Sequence, residues 1–370
     1  MASRADMGTG DRFRIGLFSP NLRGGIIPTM VAERWRATWD QNLLLARDAE
    51  AAGLDFLLSG ARWKGYDGAG DFQTVNLEST TWACGVLGAT ERISVIATVH
   101  VPLVHPAYAA MQMATADHIG HGRFGVNIVC GWNDDEFAMF GMRQREHDDR
   151  YAFGDEWLDI ARRIWSSDEP FDYDGAHFRL RGAIGRPAPY GGTTPLLLNA
   201  GSSPAGRDFA ARNCDFLFTV IVTLDRSQRE LADFRRLAAG HGRTVGVLTP
   251  VYVVCRPTRE EAEAYHQHYA HDEADWPAVD RLMAQMGVHA QSFPPEYFAT
   301  YRQRFAGGGG TYPIVGDPDD VAAELARIHG TGFDGVAVGF VNYADELPLF
   351  ADEVLPRLER LGVRAARAAS

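Results

Sequence analysis

The sequence predicts an α/β protein of the (β/α)8 barrel class, with an insertion ahead of the last strand. Three observations lead there. Eight apolar, strand-like runs recur along the 370 residues, and helical segments separate them. The connections between runs are short, as in a repeated β-α unit. The last run finds a partner only if the sheet closes on itself. An open doubly wound sheet gives the same local pattern, so closure is what favours the barrel.

Arg14 to Pro20 (RIGLFSP) is the first expected strand. Trp35, Trp39, Leu43, Ala46 and Ala49 recur at three- and four-residue steps, which predicts a helix over 32–53 ended by Gly53. DFLLS (55–59) is a short second strand, and a polar loop with Arg62, Trp63 and Lys64 follows. A helix over 78–90 precedes the β-branched run ISVIATV (93–99). Pro102 and Pro106 then introduce a helix over 107–119, stopped by Gly120. The fourth strand carries Asn127 among Phe124, Val126, Ile128 and Val129. Further strands are expected at 195–201, 215–222, 245–255 and 335–341, with helices at 152–165, 204–213, 227–239, 258–269, 318–328 and 346–361. Residues 270–310 break this rhythm and read as a lid-like insertion. One domain spans 13–362, flanked by tails at 1–12 and 363–370.

Composition narrows the function. A net charge of −12 argues against nucleic acid or an anionic membrane as the main partner. The four cysteines are scattered singly, without metal-ligand spacing, and read as reduced core residues. The N-terminus lacks an apolar signal core, and no window reaches membrane-spanning length. The expectation is a cytoplasmic protein with no bound metal.

Polar residues gather where the strands end, the face on which barrels build their sites. Asn127 and Thr98 each place a polar side chain at the end of a buried run, where an unbonded polar group costs roughly 1–3 kcal/mol. Gly201, Ser202 and Ser203 lie between a strand and a helix start, a setting that suits a phosphate, although taken in isolation a plain serine N-cap is the better reading. His100 and His105 flank Pro102, and a lone histidine at a strand end is more often a packing residue than an acid/base group. Glu136, Arg150 and Tyr151 form either a polar clamp or a helix start with a surface ion pair. Trp63 and Trp132 either wall a flat ligand or merely pack. No nucleophile triad stands out, so an organic cofactor is the expected carrier of the chemistry.

The runs ATERISVIATV, PAYAAMQMATADHIGHGRFGVNIVCGWNDDEF, HDDRY and NAGSSPAGRDFAARNCD resemble the bacterial luciferase-like flavin monooxygenases. Within that family the chain is similar to the branch of dimethylsulfone, alkanesulfonate and pyrimidine monooxygenases. FSPNLRGG near the start and GVAVGFVNYADELPLFADEVLPRLERLG near the end look most like the dimethylsulfone type. The resemblance covers about residues 13–362. It implies a (β/α)8 barrel, reduced FMN supplied by a separate NAD(P)H:flavin reductase, O2 as co-substrate and a homodimer or homotetramer. It implies flavin contacts at Ala61, Arg62, Asn127, Glu136, Arg150, Tyr151, Ser202 and Ser203. Thr98 and Asn127 match the pair beside the reacting edge of the flavin, His100 becomes a candidate acid/base, and Trp63 and Trp132 would line the substrate pocket. One departure stands out: the pyrimidine enzymes carry Ile-Lys where this chain has Ala61-Arg62, and a planar guanidinium is not a point charge. The implied reaction is oxygenation and cleavage of a small polar sulfone, sulfonate or heterocyclic amide. A deazaflavin-dependent hydride-transfer enzyme and a non-catalytic flavin-binding paralogue remain alternatives.

Overall fold

The computed structural model describes residues 12–288 and 295–365, together with Met7. Its strands are β1 (Arg14–Phe18), β2 (Phe56–Leu58), β3 (Ser94–His100), β4 (Phe124–Val129), β5 (Phe171–Asp174), β6 (Arg179–Ala183), β7 (Leu196–Asn199), β8 (Phe216–Phe218), β9 (Gly246–Cys255), β10 (Tyr312–Gly316) and β11 (Gly335–Gly339). Eight of them pair in parallel in the order β1-β2-β3-β4-β7-β8-β9-β11, and β11 returns to β1. The sheet therefore closes, as the sequence led us to expect.

Strand register decides what points inward. Leu58 lies beside Ile96, Gly125 beside Leu196, and Leu198 beside Phe216. Phe56, Leu58, Ile96, Leu196, Leu198, Phe216, Phe218, Leu248 and Ala337 form one buried cluster, the barrel interior. Each such Leu or Phe contributes about 1.5–3 kcal/mol by leaving water. Thr98 stands two residues beyond Ile96 and pairs with Asn127 across β3 and β4. Side chains alternate along a strand, so both polar groups face the same interior, one layer nearer the C-terminal mouth.

The surrounding layer consists of α1 (Trp39–Ala51), α2 (Ser79–Ala89), α3 (Pro106–Ile119), α4 (Asp134–Met139), α5 (His147–Ser166), α6 (Pro204–Asn213), α7 (Leu224–Gly240), α8 (Arg259–Gln267), α9 (Trp276–Gln285), α10 (Pro295–Gly308), α11 (Pro318–Thr331), α12 (Tyr343–Leu349) and α13 (Leu355–Arg360). The first helix is shorter than expected. Ala37 has φ of 55° and Thr38 caps the helix, so residues 32–37 form a connection instead. Trp35 is buried there by packing, its indole N–H donating to Pro20 O, and this mimicked helical spacing.

Two strand features escaped the sequence reading. The β5–β6 hairpin is an antiparallel appendage whose first strand alternates half-buried and exposed residues. β10 pairs with the second half of β9, Tyr312 beside Val251 through Gly316 beside Cys255, while the first half of β9 pairs with β8. The insertion at 270–310 holds α9 and α10. It packs on the loop after β2, where Tyr66 and Phe72 share a core with Ala278, Val279, Leu282, Met283 and Phe305. Asp275 ties the same surfaces by accepting from Gly70 N at 2.6 Å.

Most of the expected tail at 1–12 lies outside the described residues, but Met7 is buried in the barrel interior cluster. At the other end Val363 and Arg364 are buried, and Arg364 pairs with Asp55 at 3.5 Å. The packed chain thus extends past the expected boundary at 362; residues 366–370 lie outside the described residues. No described helix is long and apolar enough to cross a membrane.

Candidate active site

At the mouth of the barrel Thr98 is tied on all sides. Its N–H donates to Ser59 Oγ (3.0 Å) and Ser79 Oγ (2.7 Å), and its hydroxyl donates to Ser59 O (2.6 Å). The Asn127 amide then donates to Thr98 Oγ1 at 3.2 Å. Asn127 Oδ1 is left buried and without a protein partner. A buried acceptor of this kind costs free energy unless something supplies an N–H or O–H.

A second assembly surrounds Arg62, on the loop after β2. Its guanidinium donates to Gln73 Oε1 (3.1 Å) and Glu136 Oε1 (3.3 Å), and lies over the rings of Trp132 (4.7 Å) and Tyr66 (5.3 Å). Glu136 Oε1 also accepts from Trp63 N (2.8 Å) and Lys64 N (3.3 Å). Glu136 Oε2 makes no hydrogen bond, and His100 Nδ1 stands 3.9 Å from it. The two do not form an ion pair. Burial first, and then the Arg62 guanidinium, push the imidazole down to about 3, so it is neutral at physiological pH. His105 has a plain structural task, its Nδ1 capping α3 by accepting from Ala107 N.

The third group lies after β7. Ser203 Oγ accepts from Gly206 N (3.1 Å) and caps α6, so the simple capping reading holds. It also touches Tyr151, whose hydroxyl burial pushes up and the Ser203 contact pulls down. A Cβ at Gly206 would meet Tyr151 Oη at 2.4 Å and Gly201 Cα at 2.7 Å, so only glycine lets these three segments converge. Ser202 is exposed at the rim. Arg150 donates to Arg145 O (2.7 Å) and Gly131 O (3.2 Å), clamping the β4 loop rather than forming a surface ion pair.

Residues 13–335 match the family model described as luciferase-like monooxygenase.

The chain belongs to the luciferase-like monooxygenase family.

It is 32% identical to an FMNH2-dependent dimethylsulfone monooxygenase of Pseudomonas fluorescens (strain Pf0-1), over 94% of this chain and 95% of the relative. It is 28% identical to the pyrimidine monooxygenase RutA of Acinetobacter baylyi (strain ATCC 33305 / BD413 / ADP1), over 93% and 94% of the two chains. Among solved structures, a riboflavin lyase (RcaE) holding modified FMN and riboflavin superposes with a TM-score of 0.85. It shares 24% identity over 97% of this chain and 94% of its own, a likeness that bears on the fold.

In this luciferase-like monooxygenase the sequence-derived candidates separate into three places. Thr98, Asn127 and His100 stand at the ends of β3 and β4. Arg62, Glu136 and Trp132 bind one another, and Trp63, 40% exposed, rests edge-on against Phe140. Tyr151 and Ser203 meet at the start of α6. A cavity of about 460 Å³ opens beside the first two groups, lined by Ala61, Arg62, Trp63, Thr98, His100 and Tyr108 among others. Trp132 is thus a platform for Arg62, while Trp63 is a true wall of the cavity.

Sequence reasoning missed Gln73, Ser79 and Asn199. Gln73 is buried, adopts φ of 53°, orients Arg62 and donates to Gly25 O. Asn199 bridges β7 to β4 by donating to Ile128 O (2.7 Å) and turns the chain by accepting from Gly201 N (2.8 Å). A polar residue ending the apolar run LLL was the available signal for Asn199. Gln73 had none: it sits in an irregular loop with no periodicity, eleven residues from Arg62 on that same loop and far in sequence from Gly25.

Proposed function

We propose that this luciferase-like monooxygenase uses reduced FMN and O2 to oxygenate a small polar organic substrate at the C-terminal mouth of its barrel. The observation that carries this reading is Asn127 Oδ1, an unpartnered buried acceptor beside the anchored Thr98 hydroxyl. Flavin fits the residues here. A ring N–H would satisfy Asn127, and a phosphate suits the N-terminus of α6, where Gly201 and Gly206 let the backbone close up against Tyr151 and Ser203. Ala61, Arg62 and Glu136 would border the ring, and Arg150 and Ser202 the phosphate end.

Bound reduced FMN supplies the electrons that activate O2. The protein's part is positional. Thr98 is fixed by Ser59 and Ser79, so Asn127 and Thr98 present dipoles that need no reorganisation when charge develops. α9 and α10, packed on the loop that carries Tyr66 and Phe72, limit water at the mouth. His100, being neutral, is not a charged general acid; it acts as a hydrogen-bonding group.

The dimethylsulfone and pyrimidine relatives support a small polar substrate of the sulfone or heterocyclic amide class. Reduced flavin as a substrate calls for a separate NAD(P)H:flavin reductase. We take the enzyme as a cytoplasmic homodimer or homotetramer, in keeping with four free cysteines; light scattering tests its assembly. The test of function is mixing of protein and photoreduced FMN with O2, following flavin absorbance and oxygen. Reoxidation kinetics distinct from free FMN, lost in Asn127→Ala and Ser203→Ala, are expected. Kinetics identical to free FMN with every candidate substrate would overturn the reading and direct attention to deazaflavin.

A further inference from the structure

We infer that His100 selects the substrate. With Nδ1 facing Glu136, it offers the 460 Å³ cavity an acceptor, Nε2, that takes an N–H or O–H donor from a neutral ligand. This rests on reading that cavity as the substrate side of the proposed site.

The geometry sets the tautomer. Glu136 is 1% exposed, and its Oε1 is engaged by Arg62, Trp63 N and Lys64 N. Its other oxygen, Oε2, has no partner, and His100 Nδ1 faces it at 3.9 Å. That separation is too long for a hydrogen bond, yet the sign of the interaction is clear. A lone pair on Nδ1 would face a buried carboxylate oxygen and be repelled, whereas an N–H there is attracted. The proton therefore sits on Nδ1. His100 does not spend Nδ1 on capping the short helix it precedes, unlike His105. In an imidazole the two nitrogens point away from each other, so Nε2 is directed away from Glu136. His100 also lines the cavity; with the proton on Nδ1, the Nε2 lone pair is the acceptor its ring has left for a ligand there.

Charge on the cavity wall points to a neutral ligand. Among the described lining residues Arg62 is the one cation, and Gln73 and Glu136 already occupy it. Glu78 is occupied in capping α2 at Thr80 N and Thr81 N. Burial and Arg62 keep His100 uncharged. An anion such as a sulfonate would enter without a counter-charge, an unfavourable transfer. A sulfone offers only acceptors and leaves Nε2 unsatisfied, which a buried polar wall penalises. A cyclic amide or imide offers the N–H that fits.

The test uses the full chain, with histidines labelled with ¹⁵N, and long-range proton–nitrogen spectra between pH 5 and 8. His100→Gln assigns the His100 signals, with His100→Asn as a second assigning variant should the first not fold. Expected is one neutral form with the proton on Nδ1 throughout that range. Binding is then measured for 2-pyrrolidinone, N-methyl-2-pyrrolidinone, sulfolane and methanesulfonate. The first should move the Nε2 signal and bind at least about tenfold more tightly than the others, the size of one lost hydrogen bond. Glu136→Gln is the decisive variant. Its carbonyl oxygen stays with the three donors, so its NH2 turns to His100, moves the proton to Nε2 and reverses the preference toward sulfolane. An imidazolium signal, an Nε2–H tautomer in the unaltered protein, or equal binding of all four probes would overturn the inference. None of these readouts involves O2, so they fail independently of the proposed monooxygenase reaction.

Discussion

Asn127 Nδ2 donates to Thr98 Oγ1 at 3.2 Å, and Thr98 in turn donates to Ser59 O at 2.6 Å. The chain of donors runs from β4 to β3 to β2 across the mouth of the barrel. Thr98→Val keeps the shape but strands the Asn127 amide and the Ser59 carbonyl. We expect a loss of roughly 1–3 kcal/mol in denaturant unfolding, with Thr98→Ser close to the unaltered protein. Equal stability of the valine and serine variants would show that the bonds do not matter to folding.

Gly206→Ala tests the phosphate end. The added Cβ meets Tyr151 Oη and Gly201 Cα, so the loop and Tyr151 must move. FMN affinity should fall at least about tenfold by calorimetry, while riboflavin, which has no phosphate, should lose much less. A parallel loss for both flavins would place the phosphate elsewhere.

Arg62 and Glu136 are a buried pair, 9% and 1% exposed at their side chains. Arg62→Leu leaves a buried carboxylate uncompensated, and a cost of about 3–5 kcal/mol is expected. Combining Arg62→Leu with Glu136→Leu removes both charges and should recover a large part of that loss. A double-mutant cycle of unfolding free energies measures the coupling.

Acid should destabilise the protein through buried His100 and half-buried His266. His100 and His266 are lowered from 6.5 to about 3 and about 4, burial being the main cause in both. As pH falls below 6.5 the unfolded chain takes up protons that the folded protein refuses. Stability is therefore full above 6.5 and is lost as pH falls toward those values, by at most about 1.4 kcal/mol per unit and per histidine. Urea unfolding at pH 6.5 and 5.0 reads the slope, and His266→Gln, which keeps a partner for Tyr252, should flatten it.

The insertion is latched to α4 through Asp135, which accepts from Arg281 (2.5 Å) and Gln285 (2.8 Å) of α9. These groups lie near the surface, so Asp135→Ala should change global stability by less than about 1 kcal/mol. Amide exchange in α9 should nonetheless quicken, as seen by mass spectrometry. Unchanged exchange would mean that the apolar core under α9 holds it alone.

The barrel, its strand order and the strand-end positions of Thr98 and Asn127 were legible because buried parallel strands read as apolar runs and a polar residue interrupts them visibly. β10 was not legible: YPIVG is short and half-exposed, and its strand character exists only because β9 is long enough to pair with both β8 and β10 along one edge while β11 takes the other. The β5–β6 hairpin was missed for a similar reason, since its pairing stabilises a mostly exposed sequence that carries little apolar signal.

By itself the sequence determined the barrel, the family and the face on which polar groups collect, since all three follow from local periodicity and ordered motifs. Tertiary structure alone decided what those groups do. It turned Trp132 from a possible pocket wall into a platform for Arg62, brought Gln73 and Glu136 to the two sides of that guanidinium, and set His100 against an unpartnered carboxylate oxygen. Those partners lie 11 to 74 residues from Arg62 along the chain, and 36 residues separate His100 from Glu136. Charge state and tautomer depend on distance and burial, which the folded chain fixes and the linear order of residues does not.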